Sequence, residues 1–251
     1  MSTASGIVFT VILAVLAYVS EVLDYYGVIV ALFMGAIVSI FGGLEWLLLL
    51  LSFVLIGYIS TKFEIDKKRE IGVSENRNGR RRIENVIANG IVPVSVVVLG
   101  WVYLSFLNHH YQTGLHEIRF NYNIFIGAYI GSIATATSDT VASELGSLDS
   151  ETRLITNIRR KVSPGTDGGI SFVGEIGSLI GGLIIGLVAF AIFNDEFLLV
   201  VAPISGFIGC HVDSLLGATL ERRDIINNEY VNLFSTLVGA ISGGLLIFLS
   251  I

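Results

Sequence analysis

At 251 residues, 53% hydrophobic and 14% charged, with a mean hydropathy of +0.77, the chain lies outside the range of soluble domains, in which about a quarter of residues are charged. A single cysteine, Cys210, excludes an intramolecular disulfide framework, and no basic patch interleaved with aromatics points to nucleic acid. The net charge of −6 says less than where the charges fall, because composition of this kind belongs to a multi-pass membrane protein.

Apolar runs close to the roughly 20 residues that cross hydrocarbon predict spans over Gly6–Val22, Gly27–Phe41, Leu44–Ser60, Val86–Leu107, Asn123–Leu145, Ile170–Phe193, Phe197–Leu220 and Val231–Ile251. The expected fold is therefore an all-α, polytopic transmembrane helix bundle of about eight spans, one domain over residues 1–251. The first run has no basic region before it and is followed by further spans, so it reads as a span rather than a removable signal. The junction Phe41-Gly42-Gly43-Leu44 fits either a tight hairpin or one broken helix. Many of the 28 glycines fall inside spans, where close backbone approach replaces the missing hydrophobic drive between helices.

The basic residues orient the bundle. Lys62, Lys67, Lys68, Arg69, Arg77, Arg80, Arg81 and Arg82 lie between the third and fourth spans. Arg153, Arg159, Arg160 and Lys161 follow the fifth, and Arg222 and Arg223 the seventh. Arg119 alone takes the other face, so the positive-inside rule makes 61–85 and 146–169 cytoplasmic loops and puts both termini outside. The segment 61–85 reads as solvated, with room for a short helix at its start. His109, His110 and His116 sit in an outer loop and read as loop polarity rather than metal ligands.

Ionisable groups inside a bilayer are costly and usually mark function. Asp139 and Glu144 occupy the cytoplasmic third of the fifth span, and Asp213, beside Ser214, that of the seventh. Asn85 and Asn89, one turn apart, open the fourth span; Asn228, Asn232 and Ser235 open the eighth. Each has a plainer alternative: Asp139 as a hydrogen-bonded structural acid, Glu144 as a helix-end acid, the asparagines as interhelical glue. Four helices placing such residues at one depth argue for a shared pocket. The Gly174, Ser178, Gly182, Gly186 stripe reads as helix packing, and His211, two residues from Asp213, faces elsewhere.

The loop Ser163-Pro164-Gly165-Thr166-Asp167-Gly168-Gly169 combines turn residues with the start of the next helix, the ingredients of an anion-binding nest, or else is a simple connection. Arg159, Arg160 and Lys161 precede it. The loop has neither Walker A spacing nor G-x-G-x-x-G. Clustered carboxylates together with phosphate favour Mg²⁺, and a site at the lipid boundary suits a substrate with its phosphate in water and its chain in hydrocarbon.

Five stretches, NGRRRIENVIANG (78–90), ATSDTVASELG (136–146), RRKVSPGTDGGIS (159–171), GCHVDSLLGATLE (209–221) and INNEYVNLFSTLVGA (226–240), resemble a DUF92/VTE6-like integral-membrane family that includes plant and cyanobacterial phytyl-phosphate kinases. The resemblance implies transfer of the terminal phosphoryl group of CTP or another NTP to an isoprenyl monophosphate such as phytyl or geranylgeranyl phosphate. It implies Asp139 and Asp213 as Mg²⁺-triphosphate ligands with Glu144 assisting. Lys161, Ser163, Thr166 and the Gly165, Gly168, Gly169 turn would hold phosphates; Arg80, Arg81, Asn85 and Asn89 would meet phosphate or nucleotide; and Ser214, Asn228 and Asn232 would line the pocket. Asp167 stands where such proteins often carry asparagine. A transporter or flippase of a phosphorylated lipid or small anion is the alternative, and a structural scaffold leaves the glycine loop unexplained.

Overall fold

The computed structural model describes residues 10–12, 14–15, 17–19, 22–72, 82–111 and 115–250, apart from the side chains of 108–121. The described part of the first predicted span, between Thr10 and Val19, is helical and apolar. After it come α1 (Tyr25–Phe41), α2 (Leu44–Lys62), a short α3 (Ile65–Glu70), α4 (Ile83–Tyr111), α5 (Leu115–Gly146), strands β1 (Arg153–Leu154), β2 (Asn157–Lys161) and β3 (Gly169–Ile170), then α6 (Phe172–Phe193), α7 (Leu198–Thr219), a 3₁₀ turn (Glu221–Arg223) and α8 (Asn228–Ser250).

Local chemistry explains the boundaries. Asp24 caps α1, its carboxylate accepting from the Gly27 amide at 2.6 Å. Gly43, at φ +90°, turns the chain between α1 and α2. Residues other than glycine rarely adopt that backbone, so the Gly-Gly junction joins two helices rather than kinking one. Ser171 caps α6 by accepting from the Gly174 amide at 3.1 Å.

Among the described residues, five helices are long and apolar enough to cross a membrane: α2, α4, α6, α7 with its 3₁₀ extension, and α8. The chain is a multi-spanning integral membrane protein built as a helix bundle. Its hub is a different helix. The stretch YIGSIATATSDTVASELG of α5 is too polar for that group, yet α5 packs against α2, α4, α6, α7 and α8. Ile130, Ser132, Ile133, Ala134, Thr135, Thr137 and Ser138 are wholly buried along it. Its hydroxyls are satisfied by carbonyls: Thr135 donates to Ser205 at 3.1 Å, Thr137 to Ile133 at 2.8 Å and Ser138 to Ser178 at 2.8 Å.

Glycine makes this burial possible. A methyl at Gly131 would strike the Gly239 carbonyl and one at Gly243 the Gly127 carbonyl, so α5 and α8 touch backbone to backbone. Gly177 and Gly181 press on Val141 and Ser138 of α5, while Gly182 and Gly186 meet Pro203 and Leu198 of α7. The small-residue stripe of α6 is thus a packing surface, as expected from its spacing.

The segment after α5 departs from the expected loop. It forms a three-stranded antiparallel sheet, ordered β2-β1-β3, with Arg153 opposite both Lys161 and Ile170. Leu154, 6% exposed, anchors it, and the Ile155 amide donates to the Gly168 carbonyl at 3.0 Å. Backbone pairing needs only a few residues and one buried side chain here, so the strands left little periodic signal in the sequence.

Candidate active site

At the end of the bundle that carries this sheet, α5 and α7 finish and α4, α6 and α8 begin. A cavity of about 250 Å³ lies between them. Asp139 comes from α5 and Asp213 from α7, and their carboxyl groups lie within hydrogen-bonding reach of each other. Ser235 of α8 donates to Asp213 Oδ2 at 3.1 Å. Asn85 and Asn89 of α4 line the opposite wall, with Asn89 Nδ2 donating to the Asn85 carbonyl at 3.1 Å. Asn228 and Asn232 of α8 line it as well, linked by an Asn232 Nδ2 to Asn228 Oδ1 bond of 3.1 Å.

The glycine turn forms part of the cavity wall. Gly165, Thr166, Asp167, Gly168 and Gly169 all line it. The turn is held by the Thr166 hydroxyl donating to the Ser163 carbonyl at 2.6 Å and the Gly169 amide donating to the Thr166 carbonyl at 2.8 Å. Gly165 and Gly168 have φ of +76° and +69°, and Gly168 packs so tightly on Ala218 that no side chain fits there. The turn is therefore seated on the end of α7, five residues past Asp213.

The electrostatics follow from helix direction. Helix starts bear unpaired amides and partial positive charge, which favour anions. Three such starts, those of α4, α6 and α8, face the cavity, and the acids enter on the ends of α5 and α7. One cavity thus holds features for an anion and features for a cation side by side. Ser178 adds a buried hydroxyl on the cavity wall whose oxygen has no hydrogen-bond partner among the described residues beyond its approach to the Cys210 thiol.

Among the described residues, no group of three or more His, Cys, Asp or Glu is arranged to hold a metal. The donor set suits a cation shared with a ligand instead. Two facing carboxylates repel unless a proton or cation joins them, and Mg²⁺ is commonly bound by one or two carboxylates, its remaining positions filled by water and substrate phosphate.

The family model described as integral membrane protein DUF92 matches residues 8–240. The chain belongs to this family. It is 37% identical to an uncharacterized membrane protein of Methanocaldococcus jannaschii over 96% of this chain and 92% of that one. It is 31% identical to Protein PGR of Arabidopsis thaliana over 95% and 86% of the two chains. Protein VTE6, chloroplastic, of the same plant is 26% identical over 86% of this chain and 62% of its own. No solved structure matches.

Within this DUF92 chain, the expected site residues separate into three groups. Asp139, Asp213, Ser214, Asn85, Asn89, Asn228, Asn232, Gly165, Thr166, Gly168 and Gly169 line one cavity. Glu144 also lines it, but its carboxylate accepts from Lys68 Nζ at 2.8 Å. Lys161 stands apart on exposed β2, paired with Glu151 at 2.6 Å, and Ser163 braces the turn from behind. Arg80 and Arg81 lie outside the described residues.

Lys68 is the residue that sequence reading missed. It sits on α3, is 1% exposed, and also donates to the Ser60 carbonyl at 2.9 Å. Among eight basic residues of one segment, nothing in the sequence singled it out. Glu175, Cys210 and Glu221 also line the cavity unanticipated. Glu175 faces His211 Nε2 at 3.2 Å, which accounts for the histidine as a wall residue outside the cavity lining.

Proposed function

We propose that this protein transfers the terminal phosphoryl group of CTP or another NTP to an isoprenyl monophosphate, such as phytyl or geranylgeranyl phosphate, giving the diphosphate. The reading rests on one observation: Asp139 and Asp213 face each other in a cavity whose remaining walls are three helix starts and a glycine turn. Its family resemblance to phytyl-phosphate kinases supports the same chemistry.

Phosphoryl transfer is mostly positioning and charge neutralisation. In this reading Asp139 and Asp213 would hold Mg²⁺, which would offset triphosphate charge. Asn85, Asn89, Asn228 and Asn232 orient the two phosphates by donating amide hydrogens. The Gly165–Gly169 turn and the start of α6 hold the donor's phosphates. A phosphate oxygen of the acceptor attacks the terminal phosphorus, the bond to the bridging oxygen breaks, and the nucleoside diphosphate leaves. The attacking oxygen is already anionic, so no strong base is required. Lys161, Arg159 and Arg160 form an exposed basic edge that attracts nucleotide rather than a catalytic set. The same basic end faces the cytoplasm in this reading, by the positive-inside rule, with both termini outside.

A transporter of a phosphorylated lipid or small anion requires a polar route past the cavity. Below Asp139 the bundle is closed by Thr135, wedged against Gly209 and Gly239, and by the Gly131–Gly239 backbone contact. That packing favours the enzyme. The experiment is incubation of purified protein in nanodiscs with Mg²⁺, terminally ³²P-labelled CTP or ATP, and phytyl and geranylgeranyl phosphates. Labelled isoprenyl diphosphate is expected, and its absence with every donor and acceptor sinks the proposal.

A further inference from the structure

A second cavity, of about 100 Å³, adjoins the first and has the opposite character. Its walls come from the helix before α1 (Thr10, Ala14 and Ala17), from α1, α2 and the start of α4, and include Met34, Gly35, Leu47, Leu51, Val54 and Gly90. Asn85 lines both cavities. The first turns of α4 therefore form a partition: Asn89 looks onto the polar cavity, Val86 and Gly90 onto the apolar one, and Asn85 onto each. Along α2 the apolar lining runs from Val54 back to Leu47, about 10 Å of helix at 1.5 Å per residue, directed away from the polar end.

Glycine lets the helices around this space pack closely. A methyl on Gly90 would press on the Met34 sulfur and one on Gly35 would strike Thr10. A buried space walled by aliphatic side chains attracts hydrocarbon and repels ions, while the neighbouring cavity attracts phosphate. Only a molecule with both chemistries fills the two at once, with its junction at Asn85.

We infer that the α1–α2–α4 cavity holds the hydrocarbon chain of a lipid monophosphate whose phosphate sits in the polar cavity, and that Asn85 marks the boundary between chain and headgroup. This assignment rests on the reading of the polar cavity as a phosphate site, and it names the chain's position and the residues that measure its length. Chain length is then limited by the far wall at Leu47 rather than by the headgroup site.

The test uses the full chain in nanodiscs and a dodecyl phosphate carrying a terminal diazirine. Photolysis followed by peptide mapping is expected to label 31–35 and 47–54, with labelling suppressed by excess dodecyl phosphate but not by dodecanol. Labelling confined to segments other than 10–23, α1, α2 and the start of α4 overturns the inference. Binding of butyl, octyl and dodecyl phosphate to the unsubstituted protein should tighten by about fourfold per buried methylene until the cavity is full; affinity independent of chain length also overturns it. Val54→Trp and Ala31→Phe fill the cavity from different helices. Each should weaken dodecyl phosphate at least about tenfold, and unchanged dodecyl phosphate affinity in both is contrary. Tail-dependent binding without nucleotide-dependent transfer would remove the kinase reading and leave this one standing. Equal transfer to butyl and geranylgeranyl phosphates would do the reverse.

Discussion

The two halves of α5 behave as different materials. Toward the end remote from the sheet, Gly127 and Gly131 lie against the backbone of Gly243 and Gly239, leaving no room for a methyl group. Toward the sheet, the same helix presents Asp139, Thr140, Ser143 and Glu144 to a cavity of about 250 Å³. The closed half replaces the hydrophobic drive that lipid does not supply. The open half spends that rigidity on holding two carboxylates, Asp139 and Asp213, at one spot. The difference shows that glycine in this chain is structural by position: it seals the bundle in one half and shapes a turn on the cavity wall in the other.

The largest expected effects come from the open half. Asp139→Asn or Asp213→Asn keeps shape and removes charge, and should lower labelled-diphosphate formation by about a thousandfold, the scale of losing one preorganised electrostatic group. Size-exclusion profiles and thermal unfolding in detergent should be unchanged. Wild-type rates in both variants would break the comparison, because the acids would then be packing groups like their neighbours.

Next in size is the Lys68–Glu144 pair, which ties α3 to the end of α5. Lys68→Met leaves a carboxylate uncompensated beside the cavity, and should destabilise the protein by about 3 kcal/mol. Lys68→Met combined with Glu144→Gln should recover most of that loss, since the stranded charge is gone. A double-mutant cycle by denaturant unfolding measures the coupling; additivity would mean that the two groups do not sense each other.

A smaller contrast sharpens the boundary between the halves. Gly131→Ala overpacks the closed half and should cost about 2 kcal/mol in thermal unfolding. Ser143→Ala, on the cavity wall, should cost about 0.5 kcal/mol or less. Equal costs would erase the distinction.

The smallest effect is a native reporter. Cys210 is the chain's only cysteine and lines the cavity. Its modification by a small methanethiosulfonate should slow about threefold with Mg²⁺–CTP at about twice its Kd, as the nucleotide-free fraction falls, and further at saturation. No protection at saturating nucleotide would place the nucleotide elsewhere.

Some of this was legible from residues alone. Asp139, Asp213, Asn89 and Asn232 each stand at a span end facing the same side of the membrane, and their depth follows from counting residues along apolar runs. The glycine turn announced itself by composition. Lys161 and Lys68 went the other way. Sequence proximity to the turn made Lys161 look like a phosphate ligand, but β-pairing with Arg153 swings it to the exposed edge. Lys68 looked like one more solvated base and is buried against Ser60 and Glu144.

The sequence by itself determined the membrane class and the positions where helices can approach closely, because each depends on local composition along one helix. Which faces meet was decided only in the tertiary structure. A helix apolar on most sides carries no periodic mark of its partners, so the meeting of Asp139 with Asp213, and the opening of an apolar cavity beside Asn85, wait on glycine contacts made between distant segments.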